Sequence, residues 1–312
     1  MKIALIGQQA FGEATLEAFL ERGDEVVGVF CKPEKPDEKP DPLRLAAQAH
    51  GLKVFQFSSL KSPEAEHAMR GLHADIGVMA YVLQFVPQSL TSIPSHGTIQ
   101  FHPSLLPKYR GPSSINWSIA CGDSATGLTI FRPTDGLDEG PVILQKTCQI
   151  GPDDTLGDVY FNCLFPQGVE ALLEAADQVV TGTQQELAQN ESNASYQGWF
   201  LVDESKINWA NHVDHVYDLI RACNPTPAAW TTLSGKQVWL FDCRKHPVQK
   251  FSDVKGKPGE ISKITDTSIF INAHGGQIEV FKLKPEGGKK MSAAEFARSQ
   301  GLVPNGSAHV LP

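Results

Sequence analysis

No apolar run in these 312 residues approaches the roughly 18–20 that a helix needs to cross a bilayer. The apolar part of the opening Met-Lys-Ile-Ala-Leu-Ile-Gly is too short for a secretory signal and runs into a glycine turn. Neither membrane insertion nor secretion is expected. Cysteine is sparse: six residues, at positions 31, 121, 148, 163, 223 and 243, with no C-x-x-C pair. That excludes the usual zinc-ribbon and thioredoxin spacings, argues against a disulfide scaffold and makes a reduced, cytoplasmic protein the expectation. The standard nucleotide signatures are missing as well. The first apolar run ends in Gly7-Gln-Gln-Ala-Phe-Gly12, which lacks the middle glycine of G-x-G-x-x-G and has Glu13 where a P-loop needs lysine. Gly7 and Gly12 are assigned instead to a tight strand-to-helix turn. G-x-S-x-G is absent, which removes the α/β-hydrolase elbow. His212 and His215 stand i, i+3 with no further partner at ligand spacing, so a surface or capping role is assigned and no metal is expected.

What is present fits a globular chain of about two domains, with 41% apolar and 20% charged residues. Charge is unevenly shared. Residues 1–204 hold 13 Lys+Arg and 26 Asp+Glu, whereas residues 205–312 hold 14 and 9. Two readings stay open: modules with different partners, or a lysine-rich solvated face on the second.

The first half alternates short β-rich runs with helical spacing. Lys2–Ile6, Glu25–Cys31, Lys53–Phe57 and Asp75–Val82 read as strands. Phe11–Glu21, Leu43–His50 and Pro63–Gly71 read as helices. Gly97–Phe101, Gly127–Phe131 and Val142–Gln149 add strands, and Thr155–Thr181 contains a long helix. The fold class is therefore α/β, with a Rossmann-like, mostly parallel sheet over residues 1–182. A polar Asn/Gln/Ser stretch within 183–204 reads as a linker. Beyond it, a helix over Val213–Cys223 and short β runs at Gln237–Phe241, Gly259–Ile264, Ser268–Ala273 and Gln277–Leu283 suggest a small OB-like β-barrel over 205–312.

The most informative stretch runs from Gly97 to Leu144. A strand delivers His102 to its carboxyl end, where open parallel sheets place their sites, and a glycine-rich loop further on holds Asp138. A histidine and a carboxylate on neighbouring loops can form a proton-handling pair. The run Gln100-Phe-His102-Pro-Ser-Leu-Leu-Pro-Lys-Tyr-Arg-Gly111, followed by Asp135-Gly-Leu-Asp138-Glu-Gly140, resembles the signature of the folate-dependent formyltransferases. The likeness covers nearly the whole chain. Its first part, including Ser-Ile-Asn116-Trp117, is similar to the hydrolase domain of the 10-formyltetrahydrofolate dehydrogenases. Its last part, with Asn224-Pro-Thr-Pro-Ala-Ala-Trp and Leu283-Lys-Pro-Glu-Gly-Gly, is similar to the methionyl-tRNA formyltransferases. With the chain ending at Pro312, the carrier-like and aldehyde-oxidising domains of the dehydrogenases are expected to be missing, and with them NAD(P) chemistry.

The resemblance implies 10-formyltetrahydrofolate as co-substrate and a small amine or water as acceptor. Methionyl-tRNA is the alternative acceptor, and a folate-binding protein with impaired catalysis is a further reading. His102 would stabilise or protonate the reacting centre. Asp138 would orient His102 and help strip a proton from the nucleophile. The transferases carry Asn where this chain has Gln100, and the dehydrogenase hydrolase domain carries an aliphatic residue. Gln100 keeps the oxyanion-donating amide on an arm one methylene longer. Tyr81–Pro87 matches the segment that cradles the pterin, which makes Gln84, Phe85 and Val86 folate contacts. Ser104 and Leu105 join them from the following loop, and Arg110 and Gly111 would hold that loop in place.

Overall fold

Apolar runs too short to be helices become strands, and seven of them make one sheet: β1 (Lys2–Gly7), β2 (Glu25–Phe30), β3 (Val54–Phe55), β4 (Ile76–Ala80), β5 (Thr98–His102), β6 (Ala125–Phe131) and β7 (Val142–Gln149). Their order is β3-β2-β1-β4-β5-β6-β7. β1 to β5 run parallel, and β6 is antiparallel to β5. β1 and β4 are buried at almost every residue, as strands covered by helices on both faces must be. The helices are α1 (Gln9–Glu21), α2 (Pro42–Ala49), α3 (Pro63–Leu72), α4 (Gln88–Thr91), α5 (Ser114–Ala120), α6 (Leu156–Val159) and α7 (Phe165–Thr181). This computed structural model describes residues 1–248 and 256–304. They form two units, one of Met1–Gly111, Gly127–Cys148 and Phe161–Tyr196, the other of Pro112–Thr126, Gln149–Tyr160 and the described residues from Gln197 on.

The turn after β1 shows why the chain has glycine there. A Cβ on Gly7 would sit 2.3 Å from the carbonyl oxygen of Ala80, so any side chain would push β1 and β4 apart. α1 then starts with the Gln9 amide donating to both carboxylate oxygens of Asp41, at 3.0 and 2.9 Å. Asp41 also caps α2 by accepting from the Leu43 amide.

Asp41 is tied in turn to Glu34 through the loop after β2. Burial by itself would raise the pKa of Glu34. Hydrogen bonds from the Asp41 amide (2.9 Å), the Gln56 amide (2.9 Å) and Arg44 Nε (2.5 Å) outweigh it and hold the carboxyl at about 2, below its ordinary 4.5. A carboxyl held low stabilises the fold fully above its ordinary value, and that share is lost as pH falls from about 4.5 towards 2. The Glu34→Gln variant should therefore melt lower than wild type at pH 7, with the gap closing as pH drops to 2. Thermal melts across that window check this; a gap independent of pH would refute it.

In the second unit α8 (Val213–Ala222) begins at His212, whose Nδ1 accepts from the Asp214 amide at 3.3 Å, the capping role expected for it. Among the described residues eight strands follow: β8 (Ala229–Leu233), β9 (Lys236–Leu240), β10 (Cys243–Pro247), β11 (Ile261–Ile264), β12 (Ile269–Ala273), β13 (Gly276–Val280), β14 (Lys282–Pro285) and β15 (Met291–Ser292), then α9 (Ala293–Ser299). They pair as two antiparallel sheets, β10-β13-β12-β11 and β15-β14-β9-β8. Both contribute to one core with α8 and α9, in which Tyr217, Val238, Ile271 and Phe296 are buried. The single run expected over Gln277–Leu283 is divided at Phe281, where the chain leaves one sheet for the other.

The cysteine spacing argues against a disulfide scaffold, and among the described residues the structure has one paired exception. Cys148, at the end of β7, forms a disulfide with Cys163. A π-helical turn over Tyr160–Leu164 brings the chain back after β7, so the two α-carbons come within 6.3 Å although 15 residues separate them in sequence. Spacing rules for C-x-x-C pairs are blind to such a return. Among the described residues, Cys31, Cys121, Cys223 and Cys243 are free thiols. No described helix is long and apolar enough to cross a membrane.

Candidate active site

His102 is the last residue of β5, and its side chain is only 7% exposed. Its Nε2 lies 2.9 Å from the Tyr109 carbonyl oxygen. A carbonyl can only accept, so Nε2 carries the hydrogen in this contact and the ring is pinned by that edge. The opposite edge faces a carboxylate: Nδ1 is 3.5 Å from Asp138 Oδ2. The sequence-assigned pair is thus brought together, with Nδ1 as the nitrogen open to proton exchange.

Asp138 sits in the left-handed region at φ 52°, between Gly136 and Gly140. Aspartate tolerates that conformation better than most residues because its short polar side chain can bond locally. The loop must also pass close to β6. A Cβ on Gly140 would lie 1.7 Å from the Arg132 carbonyl oxygen, so no side chain fits there. Oδ2 of Asp138 accepts from the Gly111 amide at 2.8 Å, and Oδ1 is 3.5 Å from Gln100 Nε2. Gln100 therefore reaches the same carboxylate as His102, the longer arm spending its donor on Asp138.

The loop from Pro103 to Gly111 holds this geometry. The Ser104 side chain is fully buried, and its hydroxyl donates to the Lys108 carbonyl at 2.7 Å. Its own carbonyl accepts from Thr129 Oγ1 at 2.7 Å. Leu105 is half-buried and packs over Gly127. Ser195 closes the loop from the far side: its Oγ accepts from the Tyr109 amide at 2.8 Å, its carbonyl from the Arg110 amide at 2.9 Å, and its amide donates to the Pro107 carbonyl at 3.1 Å.

Arg110 is completely buried, an expensive place for a cation without partners. Its guanidinium has several. Nη2 donates to Glu191 Oε1 at 2.6 Å and Nη1 to Glu191 Oε2 at 2.9 Å, and Nη1 also donates to the Tyr196 hydroxyl. Nε and Nη2 share Gln189 Oε1, at 3.0 and 2.8 Å. The hydrogen-bonded arginine–carboxylate pair holds Arg110 above its ordinary value and Glu191 below its own. Gln189 then uses its amide nitrogen on the other side, donating to the carbonyls of Asp138 (2.8 Å) and Gly140 (2.7 Å). It thus couples the loop of His102 to the loop of Asp138. Gln189, Glu191, Ser195 and Tyr196 all lie in or beside the polar stretch that the sequence reads as a linker. Its Gln and Asn content was the only available hint, since amides can satisfy main-chain groups of an irregular loop.

The segment expected to cradle the pterin leaves the sheet beside this centre. Met79 of β4 pairs with Gln100 of β5, so Tyr81–Pro87 starts next to the Gln100–His102 end. Leu83 and Phe85 are each 48% exposed, with Lys61 Nζ 4.4 Å from the Phe85 ring centroid. Val86 points the other way, into the core with Ile6 and Met79. Gln84 donates to the carbonyls of Phe57 and Ser58, at 3.0 and 3.3 Å. The Gln88 amide donates to Asp135 at 2.8 Å, which ties this segment to the Asp138 loop. Exposed apolar side chains and main-chain groups beside the His102–Asp138 pair suit a flat, polar-edged ring system. Among the described residues no cluster of three or more His, Cys, Asp or Glu could hold a metal ion.

The chain is similar to known proteins along most of its length. A family model described as formyl transferase matches residues 1–176, and one described as formyl transferase, C-terminal domain, matches 202–301. The mitochondrial 10-formyltetrahydrofolate dehydrogenase of Mus musculus is 34% identical over 307 residues, which is 95% of this chain and 33% of that protein. The chain thus spans about a third of the length of the dehydrogenases it matches. Methionyl-tRNA formyltransferase of Geobacter metallireducens is 31% identical over 309 residues, 97% of each chain. Among solved structures, a sugar 3N-formyl transferase with dTDP and 5-N-formyl-THF superposes with a TM-score of 0.70 at 18% identity, covering 90% of this chain and 97% of that one. HypX from Aquifex aeolicus in complex with tetrahydrofolic acid gives 0.66 at 18%, over 98% of this chain and 48% of that one. At such identities the likeness is one of fold.

Proposed function

The chain belongs to the formyl transferase family, and from that premise we propose that it removes the formyl group of 10-formyltetrahydrofolate and passes it to a small amine or to water. The observation that carries this reading is the placement of His102, at the end of β5, 3.5 Å from Asp138 of the loop between β6 and β7, both almost fully buried. The folate, when bound, supplies the formyl carbon and a nitrogen leaving group. Leu83 and Phe85 cover its ring, with main-chain groups of Tyr81–Pro87 on its polar edge. His102 Nδ1, with Nε2 fixed on Tyr109, carries the proton that the departing nitrogen must receive. Asp138 orients the ring and accepts the proton that the incoming amine or water must lose. Its Oδ2 is kept in place by the Gly111 amide, and the Gln100 amide faces its Oδ1.

A second reading, transfer to methionyl-tRNA, is favoured by the end-to-end match with the Geobacter transferase and by the basic balance of the second half. The two C-terminal sheets around one core support an OB-like module as the part that meets the acceptor. Absorbance change on conversion of 10-formyltetrahydrofolate to tetrahydrofolate separates the readings. Turnover with water or a small amine is the expected result. Turnover only with methionyl-tRNA would replace it with the second reading. Tight folate binding with no turnover under any condition would leave a folate-binding protein.

A further inference from the structure

A cleft of about 750 Å³ opens in the second unit, and the reaction proposed above uses none of its residues. The volume is that of a small-molecule site. Among the described residues, five cations converge on it: Arg221, Arg244, Lys245, Lys282 and Lys290. Among the described residues two carboxylates line it, Asp153 and Asp242. Asp153 already accepts from the Tyr217 hydroxyl at 2.9 Å, and Asp242 lies 4.0 Å from Lys282 at the exposed rim.

The cations differ in how they are held. Arg221 is 6% exposed and fixed by Asp218 (2.6 Å) and by the carbonyls of Gly151 and Asp154. Its Nε is buried without a partner among the described residues. Lys245 pairs with Asp214 at 2.5 Å. Arg244 and Lys290 are exposed and have no carboxylate partner among the described residues. Each rests on an aromatic ring instead. Lys290 Nζ is 3.6 Å from the Phe241 centroid, and the Arg244 guanidinium is 5.8 Å from that of Phe281. A ring face holds a cation in place without neutralising it, so both heads keep their full charge for a third party. Like charges gathered in a concavity raise the local potential, and an anion of matching charge relieves it.

We propose that this cleft binds a small molecule through a di- or triphosphate group, with Arg244 and Lys290 as its principal contacts. A single carboxylate would leave most of the excess uncompensated, whereas a diphosphate brings several negative oxygens to the arginine fork and the lysine together. The bounded, concave volume favours a compact ligand over the extended track that a nucleic acid strand needs.

Calorimetric titration of the full chain with inorganic pyrophosphate and with ADP tests this. One site per chain is expected for each, weakened at least tenfold by Arg244→Ala with Lys290→Ala and weakened with added salt. The His102→Ala variant should bind both as wild type does, which separates this proposal from the reading of the formyl-transfer centre. Both test side chains are exposed, and the Lys290→Gln variant alone should act in the same direction at smaller size. Absence of binding by either probe at low salt, or wild-type affinity in the double variant, would overturn the proposal. An RNA hairpin binding far more tightly than pyrophosphate through the same two residues would also overturn it, in favour of a nucleic-acid surface.

Discussion

His102→Ala is expected to lower formyl release from 10-formyltetrahydrofolate by about 10²–10⁴-fold, the range a positioned proton-transfer group commonly supplies. The reason lies in the ring's two edges. Nε2 is committed to the Tyr109 carbonyl, so Nδ1 beside Asp138 is the position through which the pair handles a proton. Asp138→Asn should fall by a similar factor. Asparagine tolerates the left-handed backbone and can still accept from the Gly111 amide, so the loop keeps its shape while the charge goes. Because the two residues act as one unit, the double variant should be hardly slower than the worse single one. Steady-state rates on all three variants, with circular dichroism to confirm the fold, decide the matter. Retention of turnover within about threefold in His102→Ala would sink the assignment.

The second large effect concerns a residue that touches no reacting atom. Gln189→Leu removes both acceptor contacts to buried Arg110 and both donors to the Asp138 loop. Stability should fall by about 1–3 kcal/mol as those groups lose partners. Turnover should fall by up to about a hundredfold, the cost of misplacing a catalytic group by roughly 1 Å. Gln189→Glu separates the two effects. It keeps acceptors for Arg110 but cannot donate to the Asp138 and Gly140 carbonyls. Its melting temperature should stay closer to wild type than that of Gln189→Leu, while kcat drops and KM for the folate changes little. Equal kcat in Gln189→Glu and wild type would show that the glutamine serves only the fold.

Much of this was legible in the residues. Buried parallel strands announce themselves as apolar runs, and β1, β2 and β4 fall within a residue or two of where those runs end. His102 and Asp138 were legible because the motif around each is local in sequence. β10 was not: Cys243–Pro247 has no apolar alternation, since most of its side chains face outward. β8 was also missed, its run over Ala229–Leu233 being masked by the prolines just before it. The Cys148–Cys163 bridge and the Gln189–Arg110 network escaped for a shared reason. Each joins positions set side by side only by tertiary return of the chain, and neither periodicity nor spacing encodes that.

The path of residues 183–196 has a consequence for dissecting this chain. A fragment ending at Thr181, where α7 stops, would contain all seven strands of the parallel-dominant sheet and both members of the histidine–aspartate pair. It would nevertheless lack Gln189, Glu191, Ser195 and Tyr196, leaving the Arg110 cation without side-chain partners inside a water-poor interior. The smallest autonomous piece able to present the pair in register therefore ends no earlier than Tyr196, some fifteen residues beyond the last helix of the sheet layer.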